Sequence, residues 1–147
     1  MAMPTDGIQV PSEWNEITSQ IIGAAVEVHA SLGPGLLESL YEQALVHEIR
    51  DRSLRIEQQR PIRLRYKAHE IGNLRIDLVV EEIVIVELEC IERVALVHGA
   101  QLLSYLRSAD LPLGLLINFH HVLLTDGITR RINPHCSRLK VPSNPLR

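Results

Sequence analysis

The chain has 147 residues, of which 46% are hydrophobic and 22% charged, a composition typical of a globular protein with one buried core. Its formal net charge of −3 excludes a globally basic surface, and its 3% aromatic content disfavours single-strand recognition by base stacking. Only two cysteines are present, which predicts a reducing, cytoplasmic compartment and no disulfide framework. No apolar run approaches the roughly 20 residues of a membrane span, and no signal peptide is apparent.

Two helices are predicted at the start of the chain, after a flexible segment over residues 1–13. Apolar residues recur at helical spacing from residue 14 to Leu32. The Gly33-Pro34-Gly35 stretch breaks this helix, and because proline suits a first helical turn, a second helix is predicted to begin at Pro34. On that helix Glu38 is either a first-turn acid favoured by the helix dipole or a carboxylate directed inward.

The first predicted strand carries a concentration of positive charge. It runs over residues 55–66 and is expected to be interrupted at Pro61, hence an edge or bulged strand. The basic residues in and just after it are Arg60, Arg63, Arg65 and Lys67. They form either a solvated face or a local surface for phosphate groups.

Two further strands are predicted to bring acidic side chains together. In residues 74–80, Leu74, Ile76, Leu78 and Val80 alternate with Arg75 and Asp77, which places the two charged residues on the opposite face. Residues 83–90 begin as a buried strand, after which Glu87 and Glu89 share a face. A short Glu81-Glu82 connection predicts an antiparallel hairpin in which Asp77 meets Glu87. A divalent metal or a basic side chain is then expected as the neutralising partner; the alternative is an ordinary edge with solvated acids.

The rest of the chain predicts a helix, a strand and a final strand or hairpin. The helix covers residues 97–108 and carries His98, Gln101 and Tyr105 on one polar stripe. The strand covers residues 113–119, and residues 122–124 and 128–132 supply the last strand or hairpin. The predicted organisation is one α/β domain over residues 14–132, with a mixed β-sheet flanked by helices, and a loose tail over residues 133–147.

The chain resembles a known family over roughly residues 14–132. The segment Gly35-Leu36-Leu37-Glu38-Ser39-Leu40-Tyr41 matches the motif after which the GxxExxY proteins are named. The segment Gln101-Leu102-Leu103-Ser104-Tyr105 is similar to the Q-x-x-x-Y motif of RecB-like nucleases. The resemblance implies a restriction-endonuclease-like PD-(D/E)XK core.

The resemblance also implies a role for each matching residue. Asp77 and Glu87 would be metal ligands, with Glu38 as the helical acid of the same metal site, and the metal would be Mg²⁺ or Mn²⁺. Gln101 and Tyr105 would orient the site or the substrate phosphate. A cation of this kind activates water for attack on a phosphodiester.

Glu89 departs from the family pattern, because the E-x-K motif has lysine at this position. A glutamate cannot stabilise the charge on phosphate, although it can serve as a general base or a further ligand. Arg75, or more distantly Lys67, is a candidate for the missing positive charge. The function expected is therefore a metal-dependent nuclease; the alternative is a non-catalytic module of the same fold that binds nucleic acid or protein. No membrane partner is expected, and a homodimer is compatible with the sequence.

Overall fold

A computed structural model describes residues 8–139, which form three α-helices and a five-stranded mixed sheet. The elements in chain order are α1 (Ser12–Leu32), α2 (Glu38–Asp51), β1 (Ile56–Tyr66), β2 (His69–Val80), β3 (Val84–Glu89), α3 (Leu96–Ala109), β4 (Leu113–Asn118), a 3₁₀ turn (Leu124–Gly127) and β5 (Ile128–Ile132). The predicted architecture, a mixed sheet flanked by helices, is confirmed.

The strands follow the order β1-β2-β3-β4-β5 across the sheet. All neighbours are antiparallel except β3 and β4, which are parallel and joined by α3. A parallel connection requires such a crossover, because the chain must return to the same end of the sheet. The prediction that β1 is an edge strand is confirmed.

Two apolar cores lie on opposite faces of the sheet. Helices α1 and α2 cover one face, where Tyr41 stacks on Phe119 with ring centroids 4.5 Å apart. Helix α3 covers the other face through Leu102, Tyr105 and Leu106. Strands β3 and β4 lie between the two cores, which explains their nearly continuous apolar sequences.

Helix α2 begins at Glu38, so the prediction that it begins at Pro34 is wrong. Gly33 and Gly35 have φ angles of 69° and 103°, and residues 33–37 form a loop instead of a helical turn. The hydroxyl of buried Tyr41 donates to the carbonyl of Gly33 and accepts the N–H of Leu36 at 3.2 Å. Tyr41 therefore anchors the loop that positions Glu38.

Strand β2 changes face near Asp77, which corrects the predicted alternation. Ile76 packs in the α3 core, whereas Leu78, two residues later, packs in the core under α1 and α2. Nearby, β1 continues through Pro61 without interruption, but it contains Gln59 with a φ of 54° and a register shift between Leu64 and Arg65. Gln59 thus adopts a left-handed conformation at the register position opposite Asp77.

The C-terminal part of the described chain packs on the domain beyond β5. The buried Asn133 amide donates to the carbonyls of Leu106 and Leu111 at 3.2 and 3.3 Å, and Cys136 and Leu139 are also buried. Packed structure thus continues past the predicted boundary at residue 132. Helix α1 likewise begins at Ser12, within the segment predicted to be flexible; residues 1–7 and 140–147 lie outside the described residues. Within residues 8–139, no helix combines the length and apolar character needed to cross a membrane.

Candidate active site

Asp77 and Glu87 interlock where the hydrogen-bond ladder between β2 and β3 stops. The last paired residues toward this end are Leu78 and Val86. Beyond them, Oδ2 of Asp77 accepts the N–H of Leu88 at 2.9 Å, and Oε1 of Glu87 accepts the N–H of Asp77 at 3.2 Å. Side-chain oxygens thus replace backbone carbonyls as acceptors, so that two carboxylates are held at one end of the sheet, as the hairpin predicts.

Burial makes the charged form of Glu87 unfavourable. Desolvation, reinforced by the charge and side chain of Asp77, raises the pKa of Glu87 to about 9. In the absence of a cation, Glu87 therefore carries a proton at neutral pH while Asp77 accepts hydrogen bonds beside it.

Glu38 lies at the rim of this acidic site. It is the first residue of α2 and is exposed, yet partial desolvation and then the charges of Asp77 and Glu89 raise its pKa to about 7. Its position is that of a first-turn acid, which the helix dipole favours, and its carboxylate is also near the strand acids. Glu38 is thus a first-turn acid, and its direction toward the strand acids stays a prediction.

Two residues of the site were missed by sequence reasoning. The amide of Gln59 donates to Glu42 at 2.7 Å and to Asp77 at 3.4 Å, linking α2 to β2. Burial raises the pKa of Glu42, and the charge of Asp77 raises it further. The spacing of Glu42, one helical turn after Glu38, was an available signal. No sequence pattern indicated Gln59, because its position depends on a left-handed residue in β1.

Glu89 completes an acid cluster that we define as Glu38, Glu42, Asp77, Glu87 and Glu89. Burial raises the pKa of Glu89, and Asp77 adds to the rise, whereas His98 opposes it. The imidazole of His98 is fixed at the start of α3, where its Nδ1 accepts the N–H of Ala95 at 2.9 Å.

Gln101 and Tyr105 form a pair on α3 beside the acid cluster. The Gln101 amide donates to the Tyr105 hydroxyl at 2.6 Å. Burial raises the pKa of Tyr105, the Gln101 bond lowers it, and the charges of Glu87, Asp77 and Glu89 raise it. Tyr105 packs in the core under α3, while Gln101 lies on the exposed side.

Neither basic candidate neutralises the acid cluster. Arg75 is exposed and lies in a surface depression with Arg63, and Lys67 lies 5.5 Å from the ring centroid of Tyr66 at the β1–β2 turn. Among residues 8–139, no arginine or lysine forms an ion pair with an acid of the cluster. In this conformation Arg75 and Lys67 therefore form no ion pair with the acid cluster, and their supply of positive charge to a bound phosphate stays a prediction.

The donor chemistry of the cluster fits a hard divalent cation. Its side-chain donors are carboxylate oxygens, and burial, followed by the charges of neighbouring acids, raises the pKa of Glu87 and of Glu38. Within the described part of the chain, no three His, Cys, Asp or Glu side chains converge closely enough to hold a metal ion. Glu38 thus does not join Asp77 and Glu87 in a three-carboxylate set. Mg²⁺ commonly binds through one or two carboxylates together with water and substrate phosphate, which an Asp77–Glu87 pair can satisfy.

The sequence match agrees with this architecture. A family model described as the PD-(D/E)XK nuclease superfamily matches residues 15–131, which span α1 to β5. The chain belongs to the PD-(D/E)XK nuclease superfamily. Comparisons with curated proteins and with solved structures gave no match. In this PD-(D/E)XK chain, Asp77 on β2 and Glu87 on β3 lie at one end of a mixed sheet.

Proposed function

We propose that this chain is a Mg²⁺- or Mn²⁺-dependent phosphodiesterase that cleaves nucleic acid and that it represents the GxxExxY type of PD-(D/E)XK protein. The observation that carries the proposal is the interlocked pair of Asp77 and Glu87, two carboxylates fixed by backbone N–H groups without a basic partner among the described residues. A structural ion pair would place arginine or lysine here, whereas a metal site requires clustered acids.

In this proposal, Asp77 and Glu87 hold the cation, together with the carbonyl of Leu88. A bound divalent cation supplies Lewis-acid stabilisation to the phosphodiester and favours ionised water. The hydrogen bonds from Leu88 and Asp77 fix both carboxylates, so that little reorganisation is needed for ligation.

Glu38 is proposed as the proton acceptor at the rim. A group that takes a proton from attacking water works best when its pKa lies near the operating pH. The pKa of Glu38 is raised to about 7 by desolvation and by the neighbouring acids, and its exposure leaves it open to water. The polar groups on α3, Tyr105 with Gln101, are proposed to orient the substrate phosphate.

The assignment to GxxExxY proteins has a structural rationale in this chain. Gly35 provides the positive φ of the loop, Tyr41 anchors that loop through its hydroxyl, and Glu38 begins the helix between them. Each motif residue therefore contributes to placing one carboxylate at the rim of the acid cluster.

A cleavage assay on labelled DNA and RNA, duplex and single-stranded, with Mg²⁺ or Mn²⁺ tests the proposed activity. Asp77→Asn preserves the acceptor for Leu88 and removes the charge, and it should lower the rate by roughly 100-fold or more, given that even outer-shell changes cost 10–100-fold. Asp126→Asn, at an exposed aspartate in the 3₁₀ turn, is the matched control and should retain the wild-type rate. Cleavage that persists undiminished in Asp77→Asn contradicts the proposal.

A second function, a non-catalytic binding module, is favoured by one observation. Glu89 replaces the E-x-K lysine, and none of the described arginines or lysines takes over its charge. Metal titration followed by thermal melting separates the two functions, because a ligand of the folded state raises the melting temperature by mass action. A module that has lost its metal site should show no such rise, and its nucleic-acid or protein binding should be insensitive to metal.

A further inference from the structure

The β1–β2 pair extends beyond the sheet as a two-stranded ribbon. Of the residues of β2, only Leu78, Val79 and Val80 pair with β3, whereas residues 69–76 pair with β1 alone. We call the outer part of the β1–β2 pair, residues 61–75, the basic ribbon. At about 3.4 Å per residue, residues 69–76 extend over roughly 25 Å.

Positive charge is concentrated on the basic ribbon. It carries four exposed basic side chains and one acid, in a chain whose net charge is −3. Those basic side chains are Arg63, Arg65, Lys67 and Arg75. Glu70 approaches only Arg63, with 3.8 Å between Oε1 and Nε, and both side chains remain largely exposed. Arg60, just inside the ribbon, is by contrast neutralised by Glu57 and Glu82.

The positive charge adjoins the acid cluster. Arg75 precedes Asp77 by two residues on β2, a separation of roughly 7 Å along a strand. Arg63 and Arg75 also line one surface depression of about 370 Å³, together with Pro61, Asn73 and Leu74. The ribbon therefore leads along β2 toward the segment that carries Asp77, although the acid cluster itself repels phosphate.

We infer that the basic ribbon binds the phosphate backbone of duplex DNA and presents it to the acid cluster. Duplex DNA carries one negative charge per roughly 1.7 Å of axis, and its major groove admits a two-stranded ribbon. Single-strand recognition depends on successive aromatic platforms, and Tyr66 is the ribbon's one aromatic side chain. The inference rests on the proposed function, since it names the substrate class and the surface that would bind the substrate backbone.

The test is fluorescence anisotropy with a labelled 20-base-pair duplex across a salt series, in Ca²⁺ without Mg²⁺ or Mn²⁺. The ribbon variant Arg65→Gln/Arg75→Gln is compared with Arg50→Gln/Arg107→Gln, which removes equal charge from exposed residues in the last turns of α2 and α3. The ribbon variant should bind roughly tenfold more weakly and reduce the slope of log K against log salt by about 2. The control should bind within roughly twofold of wild type, and both variants should melt like wild type because the replaced side chains are exposed.

Three outcomes overturn the inference: equal losses in the two variants, binding of single strands in preference to the duplex, or no duplex binding by wild type. Nuclease activity is measured separately, as cleavage of the same duplex in Mn²⁺. Ribbon-dependent binding without cleavage supports the ribbon and contradicts the proposed activity. Cleavage that the ribbon variant performs as well as wild type contradicts the ribbon and leaves the activity intact.

Discussion

Asp77 and Glu87 each accept a hydrogen bond from the backbone of the other's strand. The Glu87 carboxylate accepts the N–H of Asp77, and the Asp77 carboxylate accepts the N–H of Leu88. This arrangement ends the β2–β3 ladder at the point where β2 also changes face. The pair is fixed by the fold, and its charge is without a basic partner among residues 8–139.

Asp77→Asn should leave the metal-free protein as stable as wild type or make it more stable. The asparagine oxygen still accepts the N–H of Leu88, and the negative charge that raises the pKa of Glu87, Glu38 and Glu42 is lost. The measurement is urea denaturation with a chelator, with Asp126→Asn as control. A loss of more than about 2 kcal/mol would show that the aspartate charge itself supports the fold.

The metal-free protein should lose stability as pH rises. Glu87 binds a proton more tightly in the folded chain, with a pKa raised from 4.5 to about 9 by burial and Asp77. Its stabilising contribution is complete below the unfolded pKa and disappears as pH passes through the folded pKa. The free energy of unfolding should therefore fall from pH 4.5 toward pH 9, and Glu87→Gln should flatten this dependence. An equal pH dependence in both proteins would show that other groups determine it.

Glu89→Lys should create or increase cleavage if the chain is a weakened nuclease. The substitution restores the E-x-K pattern and places an ammonium roughly 7 Å along the strand from Glu87. Stabilising charge on the phosphate in the transition state is often worth roughly 100-fold in rate. Manganese-dependent cleavage of plasmid DNA is the measurement, and the double variant Glu89→Lys/Glu87→Ala should remain inactive. Active wild type combined with an inactive Glu89→Lys variant would instead show that Glu89 has its own catalytic or ligand role.

Tyr41→Phe should destabilise the protein by about 1–2 kcal/mol, because it removes a buried hydroxyl that bonds to Gly33 and Leu36. The ring that stacks on Phe119 is retained, so the loss reports the loop anchor. Chemical denaturation is the measurement, with exposed Tyr66→Phe as the near-neutral control. A neutral Tyr41→Phe would mean that the loop holds Glu38 in place without this hydroxyl.

Much of the fold follows from sequence patterns that are local. The short Glu81-Glu82 connection correctly predicted the β2–β3 hairpin, and hence the meeting of Asp77 with Glu87. The Pro34 prediction failed because glycines on both sides adopt positive φ angles, which outweigh a proline suited to a helix start. Local chemistry thus set the strand pairing but not the start of α2.

The geometry of the candidate active site depends on tertiary contacts that no local sequence pattern encodes. The face change between Ile76 and Leu78 lies opposite a left-handed Gln59 on the neighbouring strand, and strict alternation could not reveal it. The same residue joins Glu42 to Asp77. The lack of an ion pair between Arg75 and the acids likewise depends on tertiary structure, because Arg75 lies on the part of β2 that pairs with β1 alone.

The most direct test of the account is Mn²⁺ binding by isothermal titration calorimetry at neutral pH, on wild type, Asp77→Asn, Glu87→Gln and Asp126→Asn. Mn²⁺ should bind to wild type and to Asp126→Asn, and this binding should be lost in Asp77→Asn and Glu87→Gln. Binding should also release protons, because Glu87 ionises when it ligates the metal. Absence of Mn²⁺ binding in wild type, or binding that survives both Asp77→Asn and Glu87→Gln, would contradict the account.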